Sequence, residues 1–264
     1  MKKIIYTPSD AFFSLRNKVV HIWEIDMNLI SNKNQLLLKE LLSKDEMERA
    51  SRFKFDLDRD LFIKGTGMLR LLIQNYTGIS ASDITFDQSE FGKPEITKGQ
   101  NTTNLNFNLS NSQNWLCIGF ILNEAIGVDI EIIKPIKDYF DVANKFFSDF
   151  EIKQIKSFSA NEALQAFYSC WTSKEAFIKF SGEGLSYPLK QFDVKIKVLD
   201  VDEVFQYTLI VKNANEKFFV ESFKLNSESV GAFALKEAPL ATKYFIFDEE
   251  SFSINNFIED KLKK

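Results

Sequence analysis

Between Gly127 and Ile132 apolar and polar positions alternate: Val128, Ile130 and Ile132 fall on one side, Gly127, Asp129 and Glu131 on the other. A period of two predicts a half-buried strand over 126–132 with both carboxylates on one face. Side chains two apart on a strand are separated by about 6–7 Å and point the same way, near enough to converge on one cation. Gly127 beside them leaves room for a ligand or another backbone. From Asn161 to Phe180 the pattern becomes helical, closed by Gly182 and Gly184, residues suited to a left-handed cap. Phe167, Trp171, Glu175 and Lys179 stand four apart on one stripe, with Lys174 on its flank. Singly, each feature has an ordinary reading: solvated acids on an exposed strand, and a surface Glu175–Lys179 pair contributing a few tenths of a kcal/mol. Together, three acids and a lysine on two elements are what magnesium-assisted phosphate chemistry requires.

The same reading of the rest predicts a strand at Val19–Ile25 and helical sequence over Asn34–Ala50, where Ser43 ends one segment and caps the next. A longer helix follows over Asp58–Tyr76, stopped near Gly78. FGKPEI is a turn, and Leu105–Leu109 and Trp115–Leu122 are strands joined by the polar loop Ser110–Asn114. The second half repeats the order: the strand at 126–132, helices over Tyr139–Phe158 and Asn161–Phe180, then strands near Phe192–Val198, Tyr207–Val211, Lys217–Leu225 and Ser229–Leu235. WLCIGFIL and SVGAFAL each close a hairpin at the end of a half, which suggests an ancient duplication. From Tyr244 a strand and a short charged helix are expected, with no role assigned.

Composition narrows the function. A chain of 264 residues with 45% hydrophobic and 27% charged positions is of the ordinary globular class, and none of its segments is apolar over the roughly 20 residues that span a bilayer. MKKIIYTPSDAFF has neither an apolar signal core nor a small-residue cleavage site, so a cytoplasmic location is expected. Cys117 and Cys170 form no metal or disulfide pattern and are expected as reduced core residues. The single histidine, His21, lies in a strand without a motif partner and is read as structural, which disfavours serine–histidine catalysis and histidine-rich zinc sites. A net charge of −4 argues against general nucleic-acid binding, although Arg49, Arg52 and Lys54 cluster tightly enough to hold a phosphate. The 27 phenylalanines are read as core filler.

On the motifs SKDEMERASRFKF, FGKPEI, FNLSNS, IGVDIE and WTSKEAFIKFSGEGLSYPL, in that order from Ser43 to Ala234, the chain resembles the 4'-phosphopantetheinyl transferases of the surfactin-synthetase type. The resemblance implies an α+β fold of two similar half-domains related by pseudo-twofold symmetry, with the active site in the cleft between them. The boundary is then placed at 124/125, giving an N-terminal half (1–124) with the nucleotide contacts and a C-terminal half (125–264) with the magnesium site and catalytic helix. It implies transfer of phosphopantetheine from coenzyme A to a serine of an apo acyl or peptidyl carrier protein, releasing 3',5'-ADP. Asp129, Glu131 and Glu175 would bind Mg2+, with Mn2+ as a substitute, and Lys179 would contact the pyrophosphate. Asp129, Glu175 and Lys179 are the catalytic candidates, Glu175 also as base, directly or through water. Arg49, Arg52, Lys93, Ser110, Asn111, Lys174 and Lys179 are the expected coenzyme A contacts, and a monomer is expected.

Two positions depart from the family pattern. Asn111 stands where a histidine usually follows the serine, and Leu61 where many members carry an arginine or another polar phosphate ligand. Two rival readings are a carrier-binding relative without activity, suggested by Asn111, and a metal-dependent nuclease, which would share the acids but needs a basic surface. The pathway of the carrier is left open, and Lys145, Phe146 and Phe147 are either a partner contact or buried packing.

Overall fold

Two sheets lie face to face, each covered on its outer side by one 22-residue helix. The structure is a computed structural model and describes residues 5–6, 14–89, 92–184, 187–211 and 216–247. In chain order the first half comprises β1 (Ile5–Tyr6), β2 (Val19–Asp26), α1 (Asn32–Glu40), α2 (Lys44–Ser51), α3 (Asp56–Thr77), β3 (Phe86–Gln88), β4 (Pro94–Ile96), β5 (Leu105–Ser112) and β6 (Trp115–Leu122). The second comprises β7 (Gly127–Ile132), α4 (Tyr139–Phe146), α5 (Asp149–Ser157), α6 (Ala160–Ser181), β8 (Glu203–Val211), β9 (Glu216–Lys224) and β10 (Ser229–Leu235). A last strand, β11 (Ala241–Ile246), returns to the first sheet and pairs in parallel with β2. The sheet orders are β1-β11-β2-β6-β5 and β7-β10-β9-β8, with β3 and β4 as a separate hairpin.

The halves match in register. β6 closes antiparallel on β2 and β10 closes antiparallel on β7, and the glycines of WLCIGFIL and SVGAFAL take equivalent places: Gly119 faces Ile22, and Gly231 faces Ile130. Val20, Ile22, Val128 and Ile130 fill the layer between the sheets, while Trp23 and Ile25 turn outward toward α3. The fold is therefore α+β with two similar halves, as the resemblance implies.

Local chemistry explains the helix ends. Ser43 caps α2 and Ser148 caps α5, each answered by a glutamate three residues on, Glu46 or Glu151, which bonds back to the serine N–H. α3 and α6 end at Gly78 and Gly182, both left-handed, where other residues would be strained. The expected helix over Tyr139–Phe158 is in fact two, broken where Ser148 starts α5. The segment Phe192–Val198 is not a strand; it is irregular apart from one bridge between Phe192 and Val211. FNLSNS is not a loop either, because β5 continues through Ser112 and the turn is confined to Gln113 and Asn114. Gln113 takes a positive φ of 55° to make that turn. Cys117 and Cys170 are free and buried. The charged helix expected after Tyr244 lies outside the described residues.

Candidate active site at the β5, β7 and α6 junction

β5 and β7 are edge strands of different sheets, and α6 lies across β7. Gly127 makes the close approach possible: a Cβ there would sit 2.0 Å from the Ala176 carbonyl oxygen and 2.2 Å from the Phe180 nitrogen. The neighbour for which Gly127 leaves room is thus the backbone of α6. Its effect is to lower Glu175 and Lys179 onto the acidic face of β7.

The Lys179 ammonium donates to Asp129 Oδ1 at 2.7 Å and to Ser110 Oγ at 2.8 Å, and Ser110 donates in turn to Asp129 Oδ1 at 2.8 Å. Glu131 Oε2 accepts from Ser112 Oγ at 2.7 Å. Lys179 therefore pairs across to the strand rather than with Glu175 along its own helix. Two carboxylate oxygens, Asp129 Oδ2 and Glu175 Oε1, are buried with no hydrogen-bond partner. Burial raises all three acids above the usual carboxylate range. For Asp129 the rise is opposed by Lys179 and Ser110, and for Glu131 by Ser112. Glu175 is pushed up to about 7, by burial first and then by the charge of Asp129.

One ammonium among three acids leaves the site short of positive charge. Among the described residues no three His, Cys, Asp or Glu side chains are already gathered into a metal cage. Magnesium does not need one, since it is usually held by one or two carboxylates with water and substrate phosphate completing its shell. The unpartnered oxygens and the charge deficit therefore fit a hard divalent cation.

The other expected site residues are placed differently. Lys174 does not face the cleft: its side chain is 0% exposed, 2.8 Å from the equally buried Glu151, and it donates to the Leu189 and Phe192 carbonyls. A charge so enclosed has no atom to offer a nucleotide, and its task is to clamp α6 to α5. Lys93 donates to the Ile126 carbonyl at 2.8 Å, so its side chain is tied to the residue just before β7, the strand that carries the acids. Burial lowers the pKa of this lysine. A cavity of about 320 Å³ opens beside it, lined by Ile96, Asn104, Phe107 and Ala125 and by none of Asp129, Glu131 and Glu175. Asn111 is exposed and, by strand alternation, faces away from Ser110. Arg49 lies over the Phe62 ring at 5.2 Å, and Arg52 pairs with Glu48 on the surface. Phe147 is buried, while Lys145 lies over the ring of the half-buried Phe146. His21 is a core residue held by Tyr76. Ser112 and Asn108 join the site from β5 on the same face as Ser110, and their alternation with Phe107 and Leu109 is the sequence signal that marks them.

Comparison with known proteins agrees along most of the chain. A family model described as the 4'-phosphopantetheinyl transferase superfamily matches residues 125–234, and one described as 4'-phosphopantetheinyl transferase, N-terminal, matches 30–120. The chain is 32% identical to 4'-phosphopantetheinyl transferase HetI of Nostoc sp., over 69% of this chain and 76% of that protein. It is 36% identical to 4'-phosphopantetheinyl transferase ffp of Bacillus subtilis, over 60% of this chain and 68% of that one. With 4'-phosphopantetheinyl transferase Sfp of Bacillus subtilis the identity is 33%, over 65% and 74%.

Proposed function

The chain belongs to the 4'-phosphopantetheinyl transferase superfamily, and on that premise we propose that it moves phosphopantetheine from coenzyme A to a serine of an apo acyl or peptidyl carrier protein at the β5, β7 and α6 junction. The observation that carries the reading is the convergence of Asp129, Glu131, Glu175 and Lys179, brought together from a strand and a helix with Ser110 of the other half.

Asp129, Glu131 and Glu175 would hold Mg2+, or Mn2+ in its place, Asp129 and Glu175 through the oxygens left without partners. When bound, the ion supplies neutralisation of phosphate oxygens. Lys179 is half-buried and directed to the same place, where its ammonium can turn from Asp129 to the pyrophosphate. The carrier serine oxygen forms a bond to the phosphorus that bears pantetheine, and the bridging bond to 3',5'-ADP breaks. Glu175, poised near neutral pH, takes the serine proton directly or through one water. Ion binding lowers a carboxylate's basicity, which favours the water relay. Arg49, Arg52, Lys93 and Asn111 remain candidates for the nucleotide end of coenzyme A, Lys93 only if it leaves the Ile126 carbonyl.

No described helix is long and apolar enough to cross a membrane. A monomer working in the cytoplasm suits this reading. The test is to incubate the protein with coenzyme A, Mg2+ and an apo carrier and to weigh the carrier. A gain of one phosphopantetheine group, abolished by chelator, is expected; a folded protein that leaves the carrier unchanged overturns the proposal.

A further inference from the structure

β5 and β7 belong to different sheets, yet they run side by side in a parallel register made by side chains. Ser110 donates to Asp129 and Ser112 donates to Glu131, the partners being 19 residues apart in both cases. Flanking these contacts, β5 side chains receive backbone groups of β7: Val128 N–H donates to Asn108 Oδ1 at 2.8 Å, and Ile132 N–H donates to Ser112 Oγ at 3.2 Å. An edge strand has outward N–H groups that need acceptors, and here side chains of the neighbouring half supply them in place of another strand's carbonyls.

Ser112 is the serine of this ladder whose hydroxyl is held by a β7 backbone N–H as well as a β7 carboxylate. A serine hydroxyl has one proton to give and lone pairs to receive. Ile132 N–H occupies the accepting side, which directs the proton at Glu131 Oε2. The bond length of 2.7 Å is that of a charge-assisted contact to a carboxylate. Ser110 makes the matching contact to Asp129 but also accepts from Lys179, so changing it would disturb the lysine as well.

We infer that Ser112 is a positioning residue for the transfer reaction: its hydroxyl, fixed by the Ile132 N–H, sets the orientation of the Glu131 carboxylate toward the metal. The inference rests on the transferase reading, and it assigns the N-terminal half a part in building a metal site whose acids all lie in the C-terminal half. Groups that orient metal ligands typically contribute about 10–100-fold in metal affinity or activity.

The test compares Ser112→Thr with Ser112→Val, which have the same branched shape and differ in a hydroxyl against a methyl group. Mn2+ is titrated in the presence of coenzyme A and followed by water proton relaxation, and transfer kinetics give separate KM values for metal and coenzyme A. Ser112→Val is expected to weaken Mn2+ by about 10–100-fold and to raise the metal requirement, with little change in KM for coenzyme A. Ser112→Thr should restore both. Ser112→Ala, which adds no bulk, carries the same expectation as the valine and replaces it if the valine does not fold. Mn2+ binding unchanged in the valine or alanine variant, or equally weak in threonine and valine, overturns the inference. So does a wild type that holds no Mn2+. Ser112-dependent Mn2+ binding in a wild type that never modifies a carrier would sink the transferase reading and leave the positioning role standing; the opposite result would do the reverse.

Discussion

In the first half of the molecule, β2 and α3 enclose His21, Trp23 and Tyr76; in the second, β7 and α6 gather Asp129, Glu131, Glu175 and Lys179. The strand positions correspond, since His21 and Trp23 flank Ile22 as Asp129 and Glu131 flank Ile130, and Ile22 and Ile130 each face the glycine of their closing strand. The helix positions correspond too. Arg70 and Lys174 are each the fifteenth residue of their helices, and each binds the glutamate of the preceding capping box, Glu46 at 2.8 Å and Glu151 at 2.8 Å. Each also donates to two carbonyls beyond its helix. One residue further on, the buried Leu71 stands where α6 has Glu175, and Asn75 stands where α6 has Lys179. The clamp is thus a property of the repeated frame, and the chemistry is what the second copy adds. Lys174 belongs to the frame although its neighbour Glu175 belongs to the site.

The clamps provide the largest contrast. In the second half both charges are 0% exposed, whereas Glu46 is 18% exposed beside a 2% exposed Arg70. Glu151→Ala should cost about 3–5 kcal/mol because it strands a buried ammonium. Glu46→Ala should cost less, about 1–3 kcal/mol, since water can reach the site it leaves. Urea unfolding of both variants checks this, and equal losses would mean that the clamps differ only in sequence.

Next comes activity. Asp129→Ala and Glu175→Gln should each lower kcat by about 10²-fold or more while remaining folded, Glu175→Gln with little loss of coenzyme A binding. The matching change in the first half, His21→Gln, should leave kcat near wild type. A large kcat loss in His21→Gln at unchanged stability would break the division between frame and site.

The halves also respond oppositely to pH. Burial holds His21 down at about 3, with Lys243 adding to the effect, so the unfolded chain binds the extra proton between pH 6.5 and 3. Stability from this residue is present above 6.5 and is lost as pH falls toward 3. Glu175, raised from 4.5 to about 7, has the opposite sign: its contribution is present below 4.5 and is lost as pH rises through 7. Each slope is at most about 1.4 kcal/mol per pH unit. His21→Gln should flatten the acid side of the stability profile and Glu175→Gln the neutral side. Mg2+ should raise the melting temperature more at pH 8 than at pH 5, because it competes with protons for these carboxylates. An equal rise at both pH values would place the ion elsewhere.

The smallest effect is expected on the surface. Arg52 and Glu48 are 72% and 64% exposed, so Arg52→Ala should change stability by less than about 1 kcal/mol. A severalfold rise in KM for coenzyme A in that variant would keep Arg52 among the nucleotide contacts; an unchanged KM would remove it.

Local chemistry made much of this legible in advance. The period-two run at β7, the cap at Ser43 and the glycine stops at Gly78 and Gly182 depend on residues close in sequence, and backbone geometry translates such patterns directly; the box at Ser148 is as local, yet the helical run on either side of it hides the break. The stripe of Glu175 and Lys179 was legible for the same reason. The fate of each charge was not. That Lys174 is enclosed and Lys179 is offered to the cleft depends on which side of α6 meets α5 and which meets β7, a matter of packing between distant segments. That FNLSNS is a strand aligning serines with acids depends on two sheet edges meeting, and β5 shows this only when β7 lies beside it. The sequence by itself determined most of the helices and strands, the glycine stops and the residue types able to bind metal and phosphate. Only the tertiary structure decided which lysine clamps the fold and which serines hold the acids, because burial and hydrogen-bond partners are set by neighbours remote along the chain.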